Sequence, residues 1–190
     1  MLAGPNGSGK STFFERHIAK WGVPFVNPDV LALEIAPHDA ANAGLRAARA
    51  SRERCDQLLA AGRSFVIEGI RPDLRLIEEA RGRGYFVRVI FVCVASPVMN
   101  ISRVSLRVAQ GGHDVPIEAI SVRYYRALAS LPDAARSADQ LLLFDNSRRH
   151  HPHRLIARFS SGDLVTLRRV VPRWAQQVFS VEFERFRSSS

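Results

Sequence analysis

Nine residues near the start of the sequence, Gly4-Pro5-Asn6-Gly7-Ser8-Gly9-Lys10-Ser11-Thr12, leave the chain few folds to choose from. Gly4 to Ser11 fits G-x-x-x-x-G-K-[ST] at every position, the pattern of a phosphate-binding loop. Glycines let the backbone curl so that successive N–H groups point inward at phosphate oxygens. A helix opening near Gly9 adds its positive end, Lys10 reaches the β- and γ-phosphates, and the Ser11 hydroxyl is placed for Mg²⁺. Such a loop hangs from a central strand of about five residues. Only Met1 to Ala3 precede Gly4, so a truncated first strand is expected.

Apolar runs alternate with amphipathic stretches behind the loop, which argues for a parallel sheet covered by helices on both faces. Strands are expected at Leu2-Ala3, Val23 to Asn27, Ser64 to Glu68, Tyr85 to Val94 and Leu141 to Phe144. A helix carrying Leu45, Ala48, Cys55, Leu58 and Leu59 stops at Gly62, and another runs from Asp73 to about Arg83. Residues 98–109 and 117–131 read as helices separated by a Gly-Gly-His turn. Ile156 to Phe159 and Leu164 to Leu167, joined through Ser160-Ser161-Gly162-Asp163, form a hairpin, and a last helix carries Trp174, Val178, Val181 and Phe186. The expectation is therefore a single P-loop NTPase domain over residues 1–190, three-layer α/β/α with a mainly parallel sheet. A lid falls at about 98–116, and a C-terminal extension of hairpin and helix at about 148–190.

With 46% hydrophobic and 24% charged residues the chain has the balance of a packed globule, and no run of eighteen apolar residues offers a membrane span. No secretory signal is visible, and Cys55 and Cys93 fall in helix and strand segments. Two buried thiols in a reducing cytoplasm are expected. Lys and Arg together number 27 against 18 acids, giving +9, and Lys10 and Lys20 are the only lysines. Arginine's planar fork suits phosphate, so nucleotides or nucleic acid fit this balance, as does a coding bias toward arginine.

Ligands of open α/β sheets bind at the carboxyl ends of the strands. Two acids stand there. Asp29, in Val26-Asn27-Pro28-Asp29, could take a proton from an acceptor hydroxyl, or could simply favour a helix N-terminus that Asn27 caps. Glu68 closes an apolar strand, where a carboxylate needs a cation, a donor or a ligand. Asn27 and Glu68 are the candidate substrate contacts. Arg103 and Arg107 are four apart and share a helix face beside Ile101, Val104 and Val108. Arg123 and Arg126 are similar. His113 falls in the lid turn, and His150-His151-Pro152-His153 reads as an exposed polar turn, not a metal site, because Pro152 breaks any helical pairing.

With these residues in place the sequence resembles the zeta toxin family, P-loop kinases that phosphorylate a nucleotide sugar. The motifs carrying the resemblance are Gly4 to Thr12, Val26-Asn27-Pro28-Asp29, Phe65-Val66-Ile67-Glu68-Gly69 and Gly84-Tyr85-Phe86-Val87. They continue through Arg103 to Pro116 (ending Gly-Gly-His-Asp-Val-Pro), Arg123-Tyr124 and Asp145-Asn146-Ser147. The resemblance implies that Lys10 binds phosphates, Asp29 is the general base and Glu68 contacts the acceptor. Arg103 or Arg107 would stabilise the transferring phosphoryl group. It implies ATP and Mg²⁺ as donor and cofactor, and UDP-N-acetylglucosamine as acceptor. The family generally has threonine shortly after the glutamate, whereas here Gly69 is followed by Ile70-Arg71-Pro72, which leaves the acceptor open. No antitoxin partner is evident. The leading expectation is an ATP-dependent kinase of a small-molecule hydroxyl. The alternatives are an ATP-binding relative without transfer activity and a nucleic-acid end kinase, the latter disfavoured by the lack of an aromatic stacking surface.

Overall fold

A computed structural model describes residues 1–36, 43–111 and 115–189. Its strands are β1 (Leu2–Ala3), β2 (Phe25–Val26), β3 (Val66–Gly69), β4 (Arg88–Cys93), β5 (Gln140–Asp145), β6 (Arg154–Ser160) and β7 (Asp163–Leu167). They form one sheet in the order β2-β3-β1-β4-β5-β6-β7. All pairings among β1 to β5 are parallel, while β5–β6 and β6–β7 are antiparallel. The helices are α1 (Lys10–His17), α2 (Pro28–Ile35), α3 (Gly44–Ala60), α4 (Leu74–Gly82), α5 (Pro97–Ala109), α6 (Ile117–Ala129), α7 (Leu131–Ser137), α8 (Arg173–Val178) and α9 (Ser180–Ser188). This is the α/β P-loop NTPase architecture, with the hairpin and helical pair appended at the C-terminus. Among the described residues no helix is long and apolar enough to cross a membrane.

Alternation along β4 separates the two helical layers. Val89, Phe91 and Cys93 point into the larger core with Ile77 of α4, Tyr124 of α6, Leu131 of α7 and Trp174 of α8. Ile90 and Val92 point the other way, onto Phe13 of α1 and Ile18. Burying a side chain such as Phe13 stabilises by about 1.5–3 kcal/mol relative to leaving it exposed. β1 is two residues long yet central: Leu2 pairs with Glu68 and Ile90, Ala3 with Gly69 and Phe91, and both are fully buried. The phosphate loop thus starts from the middle of the sheet. Cys55 and Cys93 are free and buried.

Three expectations change. The buried stripe of α3 is Ala47, Ser51, Cys55, Leu58 and Leu59, while Leu45 and Ala48 face solvent. α2 packs against α3 through small residues, Ala32 meeting Ala43 and Ala47, which a leucine there would hold apart. The helix expected over 117–131 ends at Ala129, and a separate α7 begins at Leu131 with Pro132 in its first turn. The final helix is two helices broken at Phe179 (φ −124°, ψ 34°), whose ring packs on Phe159 and Phe183. The break re-phases the apolar face onto Trp174, Ala175, Phe179 and Phe183 and leaves Val181 exposed. The hairpin turn is as expected: Ser161 and Gly162 both have positive φ (48° and 92°), the pattern of a two-residue type I′ turn.

Candidate active site

β1, β2, β3, β4 and β5 all deliver their carboxyl ends to one edge, and the charged residues singled out in the sequence gather there. The phosphate loop is held by close approach as much as by flexibility. At Gly4 (φ 145°) a Cβ would lie 2.1 Å from the Val92 carbonyl oxygen, and at Gly9 (φ 98°) 2.3 Å from Asn146 Nδ2. Gly9 is the N-cap of α1 and supplies no side chain to cap it. The first N–H groups of α1 are therefore available to an anion. Ser11 and Thr12, in that first turn, are exposed. Ser8 is fully buried, and its Oγ has no hydrogen-bond partner among the described residues. An uncapped helix end, an orphaned hydroxyl and a lysine fit a phosphate chain.

Lys10 is only 8% exposed. Its Nζ donates to the Gly4 carbonyl (2.9 Å) and the Pro5 carbonyl (3.3 Å) and lies 3.6 Å from Glu68 Oε1. Asn27 Nδ2 donates to Glu68 Oε2 at 3.4 Å, while Asn27 Oδ1 accepts from the Asp29 backbone N–H at 2.9 Å. One asparagine therefore caps α2, with Pro28 in its first turn, and joins the end of β2 to the end of β3. Burial holds Lys10 below the ordinary lysine range and pushes Glu68 above the ordinary carboxylate range, and their mutual attraction opposes both shifts. The Asp29 carboxylate and the Arg107 guanidinium act on both members of the pair, with opposite signs. Asp29 is exposed. Lys10, Glu68, Asp29 and Arg107 thus share one electrostatic centre.

Arg103 does something else. Its Nη2 donates to the Asn146 carbonyl at 2.8 Å, so one turn of α5 separates an arginine fixed to the end of β5 from one facing Lys10 and Glu68. The loop has three further supports, of which Arg123 stood among the candidate arginines and Asn146 in a motif of the resemblance. Asn146 Nδ2 donates to the Ser8 carbonyl (2.8 Å), Asn100 Nδ2 donates to the Asn6 carbonyl, and Arg123 Nη1 donates to Asn6 Oδ1 at 3.4 Å. The position of Asn146, just past a strand end, was the available signal. Asn100 is fully buried in a helix and gave none.

The four-residue histidine turn needs correction. His150 and His151 are exposed, but His153 is 7% exposed, and its Nδ1 lies 3.3 Å from His17 Nε2. A left-handed backbone (φ 52°) turns its ring inward against Phe13. His113 lies outside the described residues. Two cavities lie near this edge of the sheet, one of them lined by the loop itself. One of about 390 Å³ lies behind Asn27, between α2 and α3, and one of about 300 Å³ lies on the opposite side, beside Gly9 and Thr12.

A family model described as AAA domain matches residues 1–132. No curated protein sequence matches the chain. The complex AvrRxo1-ORF1:-ORF2 solved with ATP is similar in fold, with TM-score 0.68 and 16% identity over 95% of this chain and 62% of that one. The same pair solved with sulphate ions gives TM-score 0.71 at 16% identity over 93% and 62%. The chain thus spans less than two thirds of that relative's length. A chain of the PezAT chromosomal toxin-antitoxin system of Streptococcus pneumoniae gives TM-score 0.63 and 14% identity over 98% of this chain and 82% of that one. At these identities the likeness is one of fold.

Proposed function

This chain belongs to the AAA domain family in its kinase-like P-loop form, and on that footing we propose that it is an ATP-dependent phosphotransferase acting on a small-molecule hydroxyl. A UDP-sugar of the UDP-N-acetylglucosamine kind is the first acceptor to test. The observation that carries the reading is the meeting of Lys10, Glu68, Asn27 and Asp29 at three neighbouring strand ends. A buried lysine at a phosphate loop serves a nucleotide, and a pair of carboxylates beside it serves an acceptor.

The loop N–H groups and the first turn of α1 hold the β- and γ-phosphates of ATP, and Lys10 Nζ exchanges the Gly4 and Pro5 carbonyls for phosphate oxygens. That exchange loosens Glu68 from its cation and frees it to accept a hydrogen bond from the acceptor. Ser11 Oγ would hold Mg²⁺, which screens the triphosphate's charge when bound. Asp29 takes the acceptor's proton as the acceptor oxygen bonds to the γ-phosphorus and the bond to the β–γ bridging oxygen breaks, releasing ADP. Arg107 adds positive potential where charge builds on the transferring group, and Arg103, Arg123 and Asn146 keep the loop's shape. An inhibitory protein partner is part of the reading, since one related fold comes from a system described as toxin-antitoxin.

The test is transfer of ³²P from γ-labelled ATP into UDP-sugars, nucleosides and short oligonucleotides. Label is expected in a UDP-sugar and lost in Lys10→Ala and Asp29→Ala. Binding of ATP with no label in any acceptor would overturn transfer and favour a nucleotide-binding protein instead. Label confined to oligonucleotides would transfer the reading to an end kinase.

A further inference from the structure

The cavity of about 300 Å³ beside Gly9 and Thr12 has a wall with an unusual composition: Arg16 from α1, Arg103 from α5, and Arg148, Arg149 and His153 from the segment between β5 and β6. Among the described residues no carboxylate lines it. Asp145 lies nearby but is buried at 3% exposure and occupied by Trp174 Nε1, Ser147 Oγ and Arg154. His153 Nε2 is buried with no hydrogen-bond partner among the described residues, and it sits 3.5 Å from where a Gly9 Cβ would be. A buried ring nitrogen without a partner is unfavourable. Its position is nonetheless tightly fixed. His17 holds Nδ1, Phe13 meets the ring edge-on at 5.0 Å between centroids, and the His153 backbone N–H donates to Asn146 Oδ1 at 3.3 Å. The side chain is thus pinned on every side except the one facing the phosphate loop.

We propose that, with a donor nucleotide on the phosphate loop, His153 Nε2 donates a hydrogen bond to its phosphate chain, with proton uptake by the imidazole on binding. The inference rests on nucleotide binding at the phosphate loop and adds a contact that the loop pattern does not contain. An anion is the one ligand class that satisfies both Nε2 and the surrounding guanidinium groups. The groups facing His153 are all basic: His17 and Arg16 on α1, Arg103 on α5, and Arg148 and Arg149 on its own segment. Burial first, then His17, Arg16 and Arg103, hold the imidazole below its ordinary range, against a Gly9 backbone hydrogen bond that raises it. A phosphate beside it favours the charged form, which links binding to protonation.

The test is calorimetric titration of the full chain with Mg-ADP between pH 6 and 8, in buffers of differing ionisation enthalpy. The nucleotide's own titration is common to all variants and cancels in the comparison. Wild type is expected to take up more protons than His153→Asn, an asparagine being tolerant of the left-handed backbone. Its affinity should exceed that of the variant about tenfold at pH 6 and about threefold or less at pH 8, one decade corresponding to one unit of linked pKa. His17→Asn keeps Nε2 in place and removes a basic neighbour, so its extra uptake should centre at higher pH than in wild type. Equal proton counts and affinities in wild type and His153→Asn would overturn the proposal and leave the phosphate-loop reading intact. An absence of nucleotide binding by wild type at any pH would overturn both.

Discussion

Lys10 Nζ and Glu68 Oε1 lie 3.6 Å apart with side chains 8% and 10% exposed, joining the first turn of α1 to the end of β3. A pair of opposite charges this far from water is an uneasy arrangement without a ligand, because desolvation offsets much of the attraction. The same pair is well suited to exchanging partners when a triphosphate arrives.

Lys10→Met removes the buried cation beside Glu68 and leaves the Asn27 hydrogen bond in place. Transfer should fall by at least ~10³-fold, the scale of losing a charged stabiliser of the transferring group. Stability should fall by about 3–5 kcal/mol, and adding Glu68→Gln should recover much of it. Urea denaturation of the single and double variants checks the second point independently of activity.

Glu68 also carries a pH signature. Its folded pKa is raised, so between the unfolded value of 4.5 and the folded value the native state binds more protons. Stability relative to Glu68→Gln should therefore increase as pH falls through the folded pKa, and the gain should be complete below 4.5. Denaturation of both proteins at intervals from pH 7 down to pH 4 reads this out. A constant difference across that range would contradict it.

Asp29→Asn replaces the side chain while retaining the backbone N–H that caps on Asn27. Transfer should drop about 10²–10⁴-fold, as for loss of a general base, with nucleotide affinity changed by about twofold or less. Single-turnover transfer and calorimetry separate the two quantities.

Asn27 serves a cap and a contact, and two substitutions divide them. Asn27→Ser keeps a capping oxygen and loses the Glu68 bond, so it should cost activity with little change in stability. Asn27→Ala should lose about 1 kcal/mol of stability as well. Thermal melts alongside transfer rates distinguish these outcomes.

Asn146→Ala removes the amide that holds the Ser8 carbonyl. The loop loses a buried donor, at about 1–3 kcal/mol, and nucleotide affinity should fall with it. Gly9→Ala should be the more damaging, since the new Cβ meets Asn146 and the backbone has φ 98°. Nucleotide titration of both variants orders them.

Much of this site was legible in the chain. The phosphate loop, the strand-end positions of Asp29 and Glu68, and the capping role of Asn27 follow from patterns spanning a few residues. The sheet and its hairpin could be read for the same reason: alternation and turn chemistry are local. Two of the errors arose where a helix could be phased two ways. Leu45 fits a stripe on α3 as well as Ala47 does, and only the packing of α2 selects between them. Val181 likewise lost its place to Phe183 when Phe179 broke the helix.

What the sequence by itself determined is the chemistry at each strand end, because glycine conformations, apolar periodicity and capping act between neighbours in the chain. What only the tertiary structure decided is which of those groups meet. Asn146 reaches Ser8 across 138 positions, His153 reaches His17 across 136, and Arg103 turns to Asn146 across 43 while Arg107 faces Lys10 and Glu68. Burial of a polar side chain is set by the elements that close over it, and those come from parts of the chain whose local patterns carry no record of one another.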